Sequence, residues 1–342
     1  MKSALTRRIY FLLFGLSGIL AITLLAFYIF SSPEKLTKVT LRLNWKINGD
    51  HAPFYVALDK GLFNEVGLDV EILEGSGSAS TVKLIGTGSN YLGYADAGTM
   101  IKGIASGLPV KAVCTLVQMS PMAVIFLPTN PIRTPQDLKG KTIGLTSGDS
   151  LSQIFPAVLA ANSISPRDVR IISFSTPWAK EKALLQGQID AFLGYYLAQP
   201  VRLKITRDID LEWLSFAEAG VNTLSNSIIV NTRFLREQPD LVRKFLLATQ
   251  KGAKATLDNP RQAAQILSKY STGAGLNFAA CKMQIEVALK LLHTDETVNK
   301  PIGWTSSKNW EKTLELLKNY AGLRRSEEPS KYYTNDYLSN IR

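Results

Sequence analysis

From residue 38 onward the apolar pattern switches repeatedly between a period of two and a period of 3.6, and this alternation constrains the fold more than any other feature of the chain. Side chains alternate faces along a strand and return to one face of a helix every three or four positions, so strands and helices that take turns predict an α/β architecture. Val39, Leu41, Leu43 and Trp45 alternate with Thr40, Arg42 and Asn44, the pattern of a first strand. Pro53 suits a first helical turn, and Phe54 to Lys60 continues it to Gly61. A strand at Leu68 to Leu73, a Gly/Ser loop over Gly75 to Ser80, a helix at Thr81 to Ile85, a strand at Tyr91 to Ala95 and a helix at Gly98 to Ala105 follow. Val110 to Val117 and Met122 to Leu127 read as two more strands, and the prolines and Asn130 of Pro128 to Pro131 mark a boundary.

A second α/β unit begins there. Strands are expected at Lys141 to Thr146, Val169 to Phe174, Ile189 to Leu193 and Leu211 to Phe216, and helices at Leu151 to Ala161, Trp178 to Gln186 and near Gln199. A strand at Ile228 to Val230 then precedes helices at Pro239 to Leu257, Pro260 to Lys269, Leu276 to Leu292 and Ser307 to Tyr320. A chain that builds one unit, crosses to a second and returns predicts two lobes joined by two hinge crossings, near Phe126 to Asn130 and Phe216 to Asn226. Lobe I is then 36–128 and 225–342, lobe II is 129–224, and the cleft between them is the expected ligand site.

Residues 1–35 are of another kind. Lys2, Arg7 and Arg8 precede Ile9 to Phe30, a run of 22 residues without a charge. A spanning helix needs ~20 apolar residues and a signal-peptide core ~7 to 15, so the run predicts a signal anchor or, failing that, a signal peptide. The basic residues before it place the N-terminus in the cytoplasm and residues 36 onward outside, membrane-anchored or released to the periplasm. No Cys follows the run, which excludes a lipoprotein anchor.

Composition narrows the chemistry. The net charge of +11 is spread over 39 Lys and Arg without zinc-finger, RGG or RNP-type runs, so no nucleic-acid partner is expected. Two Cys and two His exclude a four-ligand zinc module and a disulfide scaffold, and no metal or cofactor is expected. Cys114 and Cys281 would pair in an oxidising compartment or remain two buried thiols. Eight basic and three acidic residues stand between Arg233 and Lys269, and this helical face is either solvated or a contact for a permease or anionic lipid.

The candidate ligand residues gather where strands end, the edge at which open α/β folds bind. Asn44, Trp45, Asn48 and His51 combine a stacking surface with amide and imidazole hydrogen bonds; Trp45 as core and His51 as a helix cap are the structural alternatives. Ser76 and Ser78 lie in a Gly/Ser loop that resembles phosphate cradles but lacks the Gly-Lys-Ser/Thr ending of a nucleotide loop. Asp96 is placed to cap a helix, to accept from a ligand amine or amidine, or to do both. Ser147, Asp149 and Ser150 open a helix in the second unit, and Tyr195, with Tyr196 beside it, offers an aromatic wall opposite Trp45. No catalytic set assembles: neither His51 nor His293 has a G-x-S-x-G elbow to serve.

The stretch Asn44-Trp45-Lys-Ile-Asn48-Gly-Asp-His51-Ala-Pro-Phe-Tyr55, with Lys60-Gly61-Leu-Phe63 and Gly67-Leu68-Asp69-Val70, resembles the opening of ABC-importer solute-binding proteins in the group similar to thiamine-pyrimidine synthases. That group also includes riboflavin, nitrate, taurine and sulfonate binders. The likeness continues through Asp137-Leu138-Lys139-Gly140-Lys141, Gly187-Gln188-Ile189-Asp190-Ala191, Pro239-Asp240-Leu241-Val242-Arg243 and Tyr333-Thr334-Asn335-Asp336-Tyr337. It implies a type II periplasmic-binding fold that closes on a small molecule and presents it to an ABC permease with its ATPase. The synthase branch carries a Cys-rich motif and an active-site Lys and His; here Ala95 and Thr99 stand at those places and no Cys cluster exists, so the chain reads as a non-enzyme. Some pyrimidine binders carry a Glu after the aromatic pair, where this chain has Leu197-Ala198-Gln199-Pro200. The expected ligand is a pyrimidine-like thiamine precursor or another planar heterocycle, held between Trp45 and Tyr195. The alternatives are a sulfonate, taurine or nitrate-type anion, or an enzyme of pyrimidine synthesis.

Overall fold

Strands β1 (Thr37–Arg42), β2 (Leu68–Leu73), β3 (Leu92–Asp96), β4 (Val110–Thr115) and β10 (Asn226–Asn231) form one five-stranded sheet in the order β2-β1-β3-β10-β4. Strands β5 (Met122–Phe126), β6 (Thr142–Thr146), β7 (Arg170–Phe174), β8 (Ala191–Tyr195) and β9 (Glu212–Ser215) form the other, ordered β7-β6-β8-β5-β9. The computed structural model describes residues 36–271, 273 and 275–342, so the expected anchor or signal segment, 1–35, lies outside the described residues. Among the described residues no helix is long and apolar enough to cross a membrane.

Both sheets are mixed. β1 runs parallel to β3, and β6 parallel to β7 and β8, whereas β10 is antiparallel to β3 and β4, and β5 to β8 and β9. Every residue of β3, β5, β8 and β10 is buried, and β5 and β8 accordingly read as apolar runs without a solvent-facing alternation. The two faces of β5 separate cleanly: Met122, Val124 and Phe126 join the large core, while Ala123 and Ile125 join a smaller one with Leu184, Phe192 and Leu203.

The helices are α1 (Ala52–Asp59), α2 (Ser78–Gly86), α3 (Ala97–Ala105), α4 (Ser150–Ala161), α5 (Pro177–Leu185), α6 (Gln199–Arg207), α7 (Thr232–Glu237), α8 (Pro239–Asp258), α9 (Pro260–Tyr270), α10 (Phe278–Leu289) and α11 (Ser307–Tyr320). All but α7 answer to an expected helix; α7 is six residues, too short to show a helical period.

One strand corrects the expected chain path. Met122–Phe126 pairs with β8 and β9 in the second sheet, so the chain crosses before it, over Leu116–Pro121, and not near Phe126 to Asn130. The Pro128–Pro131 loop stays with the second sheet, where the Asn130 amide donates to Asp190 at 2.8 Å. The return passage lies between β9 and β10, and the two crossings run side by side: the Leu116 amide donates to the Asn226 carbonyl and the Ser225 amide to the Val117 carbonyl, each at 3.1 Å.

Cys114 and Cys281 are both buried free thiols, one in β4 and one in α10. The basic face of α8 is largely compensated. Arg243 pairs with Asp240, Lys251 with Glu65 and Lys254 with Asp258, as solvated ion pairs worth about 0–1 kcal/mol each.

Candidate functional site

The loop after β1 is shaped by close backbone approach. A Cβ on Gly75 would stand 2.0 Å from the Leu43 carbonyl, so only glycine lets the Gly75–Ser78 loop wrap the Asn44–Trp45 segment, where the Gly77 amide donates to the Asn44 carbonyl at 2.8 Å. The next turn, Gly49–His51, is capped reciprocally. Asn48 Oδ1 accepts from the Asp50 amide at 3.2 Å, and His51 Nδ1 accepts from the Asn48 amide at 3.2 Å. That leaves the proton of the neutral imidazole on Nε2, which donates to Asn44 Oδ1 at 2.9 Å. Burial lowers the His51 pKa, consistent with the neutral ring.

Asn44 is held at both ends. Its Nδ2 donates to Asn226 Oδ1 at 3.3 Å, and Asn226 Nδ2 donates in turn to Asp50 Oδ2 at 2.8 Å. The Tyr195 hydroxyl, carried by β8 of the other sheet, donates to the same Asn226 oxygen at 3.5 Å and lies 3.1 Å from Ser150 Oγ. A buried polar network therefore runs from the first turn of the chain across to the second sheet. Two more contacts span the sheets beside it: the Ala79 amide donates to the Gly148 carbonyl at 3.2 Å, and Gln284 Nε2 to the Ala198 carbonyl at 3.0 Å.

Between the sheets lies a narrow recess with about 40 Å³ of accessible space. Asn44, Trp45, Asn48, Gly77 and Ser78 line it from the first sheet's side, and Asp149, Ser150, Leu151, Lys180, Tyr195, Ala198 and Gln199 from the second. Asp149 caps α4, its Oδ1 accepting from the Ser152 amide at 2.7 Å, while its Oδ2 stands 3.9 Å from Lys180 Nζ. Lys180 is fully buried and donates to the Leu193 carbonyl. Burial lowers the Lys180 pKa against the pull of Asp149, and raises that of Asp149 against the pull of Lys180. Each charge compensates the other, so the recess offers donors and acceptors with little net charge.

Four expected site residues do not line the recess. His51 is buried behind Asn44, whose amide it orients. Asp96 is buried behind Ser78 Oγ, which accepts from the Asp96 amide at 3.2 Å; its carboxylate caps α3 by accepting from the Thr99 amide and hydroxyl at 2.7 and 2.9 Å. Desolvation pushes its pKa up to about 6, with Oδ2 left without a partner. Ser76 and Ser147 are exposed, and Ser147 Oγ lies 2.7 Å from Ser173 Oγ at the rim. Tyr196 turns away from Trp45 to stack on Trp213, with centroids 5.7 Å apart.

Sequence reading missed Lys180, Leu151, Ala198 and Gln199 as lining residues. Gln199 opens a helix at the sheet edge, the signal that picked out Asp149; Lys180 lies inside α5, where nothing in the sequence separates it from Lys182. Ala95 and Thr99 are buried in β3 and α3, and neither lines the recess. Among the described residues no group of His, Cys, Asp and Glu could hold a metal ion.

Comparison with known proteins places this geometry. The riboflavin-binding protein RibY of Chloroflexus aurantiacus is 26% identical over 89% of this chain and 86% of its own. A formylaminopyrimidine-binding protein of Halalkalibacterium halodurans is 25% identical over 84% and 86%. A 4-amino-5-hydroxymethyl-2-methylpyrimidine phosphate synthase of Candida albicans is 28% identical over 88% of each chain. In fold, the alkanesulfonate-binding protein SsuA of Xanthomonas axonopodis superposes with a TM-score of 0.65 at 17% identity, over 84% of this chain and 93% of its own. The profile of the family described as NMT1/THI5 like matches residues 48–263, and over that span, more than half of its length, the chain belongs to this family of solute-binding proteins and synthases, on the fold of type II periplasmic binding proteins.

Proposed function

We propose that the chain is the extracytoplasmic solute-binding component of an ABC importer, closing on a planar, neutral or zwitterionic heterocycle of the pyrimidine type. The observation that carries this reading is the Asp149–Lys180 pair in the wall of a recess that Trp45, Tyr195, the amides of Asn44, Asn48 and Gln199 and the hydroxyls of Ser78 and Ser150 also line. A compensated ion pair beside aromatic surfaces favours a ligand that stacks and presents both donors and acceptors over a bare anion, which would leave Asp149 facing like charge. In this reading the lobes meet at the two crossings, 116–121 and 216–225, the run Ile9 to Phe30 holds the chain at the membrane, and the permease and its ATPase receive the ligand. Stacking and hydrogen bonding in a closed cleft supply affinities near ~1 μM, about 8 kcal/mol. Thermal unfolding of the purified chain with an aminopyrimidine, riboflavin, taurine, an alkanesulfonate and nitrate tests it. A rise in melting temperature with a heterocycle is expected, and stabilisation by the anions alone would reject the ligand class.

A second reading, a synthase of a pyrimidine compound, is favoured by Lys180, a buried amine in the recess whose pKa is lowered by desolvation. It predicts product formation from a bound heterocycle precursor. A ligand recovered unchanged after prolonged incubation would reject it.

A further inference from the structure

Two serines line the recess, one from each side, and their hydrogen-bonding neighbours give them opposite polarity. Ser78 Oγ accepts from the Asp96 amide, and among the described residues no protein acceptor takes its proton, so this hydroxyl is left to donate. Ser150 Oγ, 3.1 Å from the Tyr195 hydroxyl, is set by a longer relay of contacts.

The relay is fixed at two separate ends. At one end the Asn48 backbone amide can only donate. It makes His51 Nδ1 an acceptor, puts the imidazole proton on Nε2, turns Asn44 Oδ1 toward His51 and so turns Asn44 Nδ2 toward Asn226. At the other end Asp50 Oδ2 accepts from Asn226 Nδ2. Both ends require the same orientation of the Asn226 amide, with Oδ1 facing Asn44 and Tyr195. An amide oxygen only accepts, so the tyrosine's single proton makes the Tyr195 contact. Burial raises the Tyr195 pKa, and the hydroxyl holds that proton. Its oxygen is then left to accept, and Ser150 supplies the donor.

We infer that Ser150 is a specificity-determining residue, a hydroxyl whose one proton is committed to Tyr195 and whose lone pairs alone face the ligand, so that it takes an N–H or O–H donor and turns away an acceptor. This rests on the heterocycle reading above and deepens it by assigning hydrogen-bond polarity at one point of the recess, imposed from behind through Tyr195 and Asn226. Turning the Ser150 proton toward a ligand acceptor would strip the buried Tyr195 oxygen of its donor, a loss that is costly away from water. Tyr195→Phe keeps the ring and removes that oxygen, which frees the Ser150 proton for the ligand.

Calorimetric titration of the unaltered chain, Ser150→Ala and Tyr195→Phe with 4-aminopyrimidine and 4-methoxypyrimidine, probes alike in ring and unlike in whether the substituent donates or accepts, tests the assignment. The unaltered chain is expected to favour the amino probe at least tenfold. Ser150→Ala is expected to weaken the amino probe at least fivefold and to change the methoxy probe less than twofold, which also shows the variant to be folded. Tyr195→Phe is expected to narrow the preference at least fivefold by tightening the methoxy probe, whereas a purely structural role would weaken both probes alike. An unchanged preference in Tyr195→Phe, or an equal loss of both probes in Ser150→Ala, would overturn the polarity assignment and leave the heterocycle reading standing. Binding of neither probe by the unaltered chain would overturn both.

Discussion

Asp96 shows how one position can look like a ligand contact and serve the fold instead. A carboxylate at the end of a strand and the start of a helix is where cap and pocket coincide, and here the cap prevails, with Ser78 between Asp96 and the recess. Its raised pKa has a measurable consequence. Between the ordinary value, 3.8, and about 6 the folded chain keeps a proton that the unfolded chain has released, so this group's contribution to stability is present below pH 4 and is lost as pH rises to 6. The amount is about 3 kcal/mol. Asp96→Asn keeps the cap without the charge, so its stability is expected to vary less over pH 4–6 than that of the unaltered chain, as followed by denaturant unfolding; identical profiles would refute the assignment. Asn44, Trp45 and Tyr195, singled out in the sequence by their types and their place at strand ends, line the recess. Lys180 was not singled out, because a lysine inside a helix reads as solvated until the tertiary packing of α5 against β8 buries it.

At the scale of elements, the two turns that meet across the cleft make a sharper test than any one ligand contact. Gly77 has a φ of +134°, and a Cβ there would stand 2.5 Å from the Gly148 carbonyl; Gly148 has a φ of +81° with nothing within 4 Å of its Cβ. Both substitutions strain the backbone by about 1–3 kcal/mol, and only Gly77→Ala wedges the loops apart. Gly77→Ala is expected to weaken ligand binding at least tenfold and Gly148→Ala less than threefold, with similar losses in the melting temperature of the ligand-free chain. The order of elements was readable because period-two and period-3.6 segments alternate. The membership of β5 was not: Met122–Phe126 is apolar on both faces, and its pairing with β8 and β9 joins residues 65 to 92 positions apart, a long-range choice that local pattern does not encode.

For the whole molecule, the contacts between the two sheets define one closed arrangement. Gln284 is central to it: buried on α10, it accepts from the Gly49 amide at 3.0 Å and donates to the Ala198 carbonyl across the cleft. Gln284→Ala leaves both partners unpaired, and a loss of about 1–3 kcal/mol in ligand affinity is expected from calorimetry, mostly as faster release. On the basic helix, Arg243, Lys251 and Lys254 meet acidic partners on the surface. The central claim is that a planar heterocycle is held in the recess against Trp45, and calorimetric titration of the unaltered chain and of Trp45→Ala with the best heterocycle of the thermal screen tests it most directly. A Kd near ~1 μM that weakens by tenfold or more in the variant is predicted; an unchanged Kd, or heat only from taurine, sulfonate or nitrate, would contradict it.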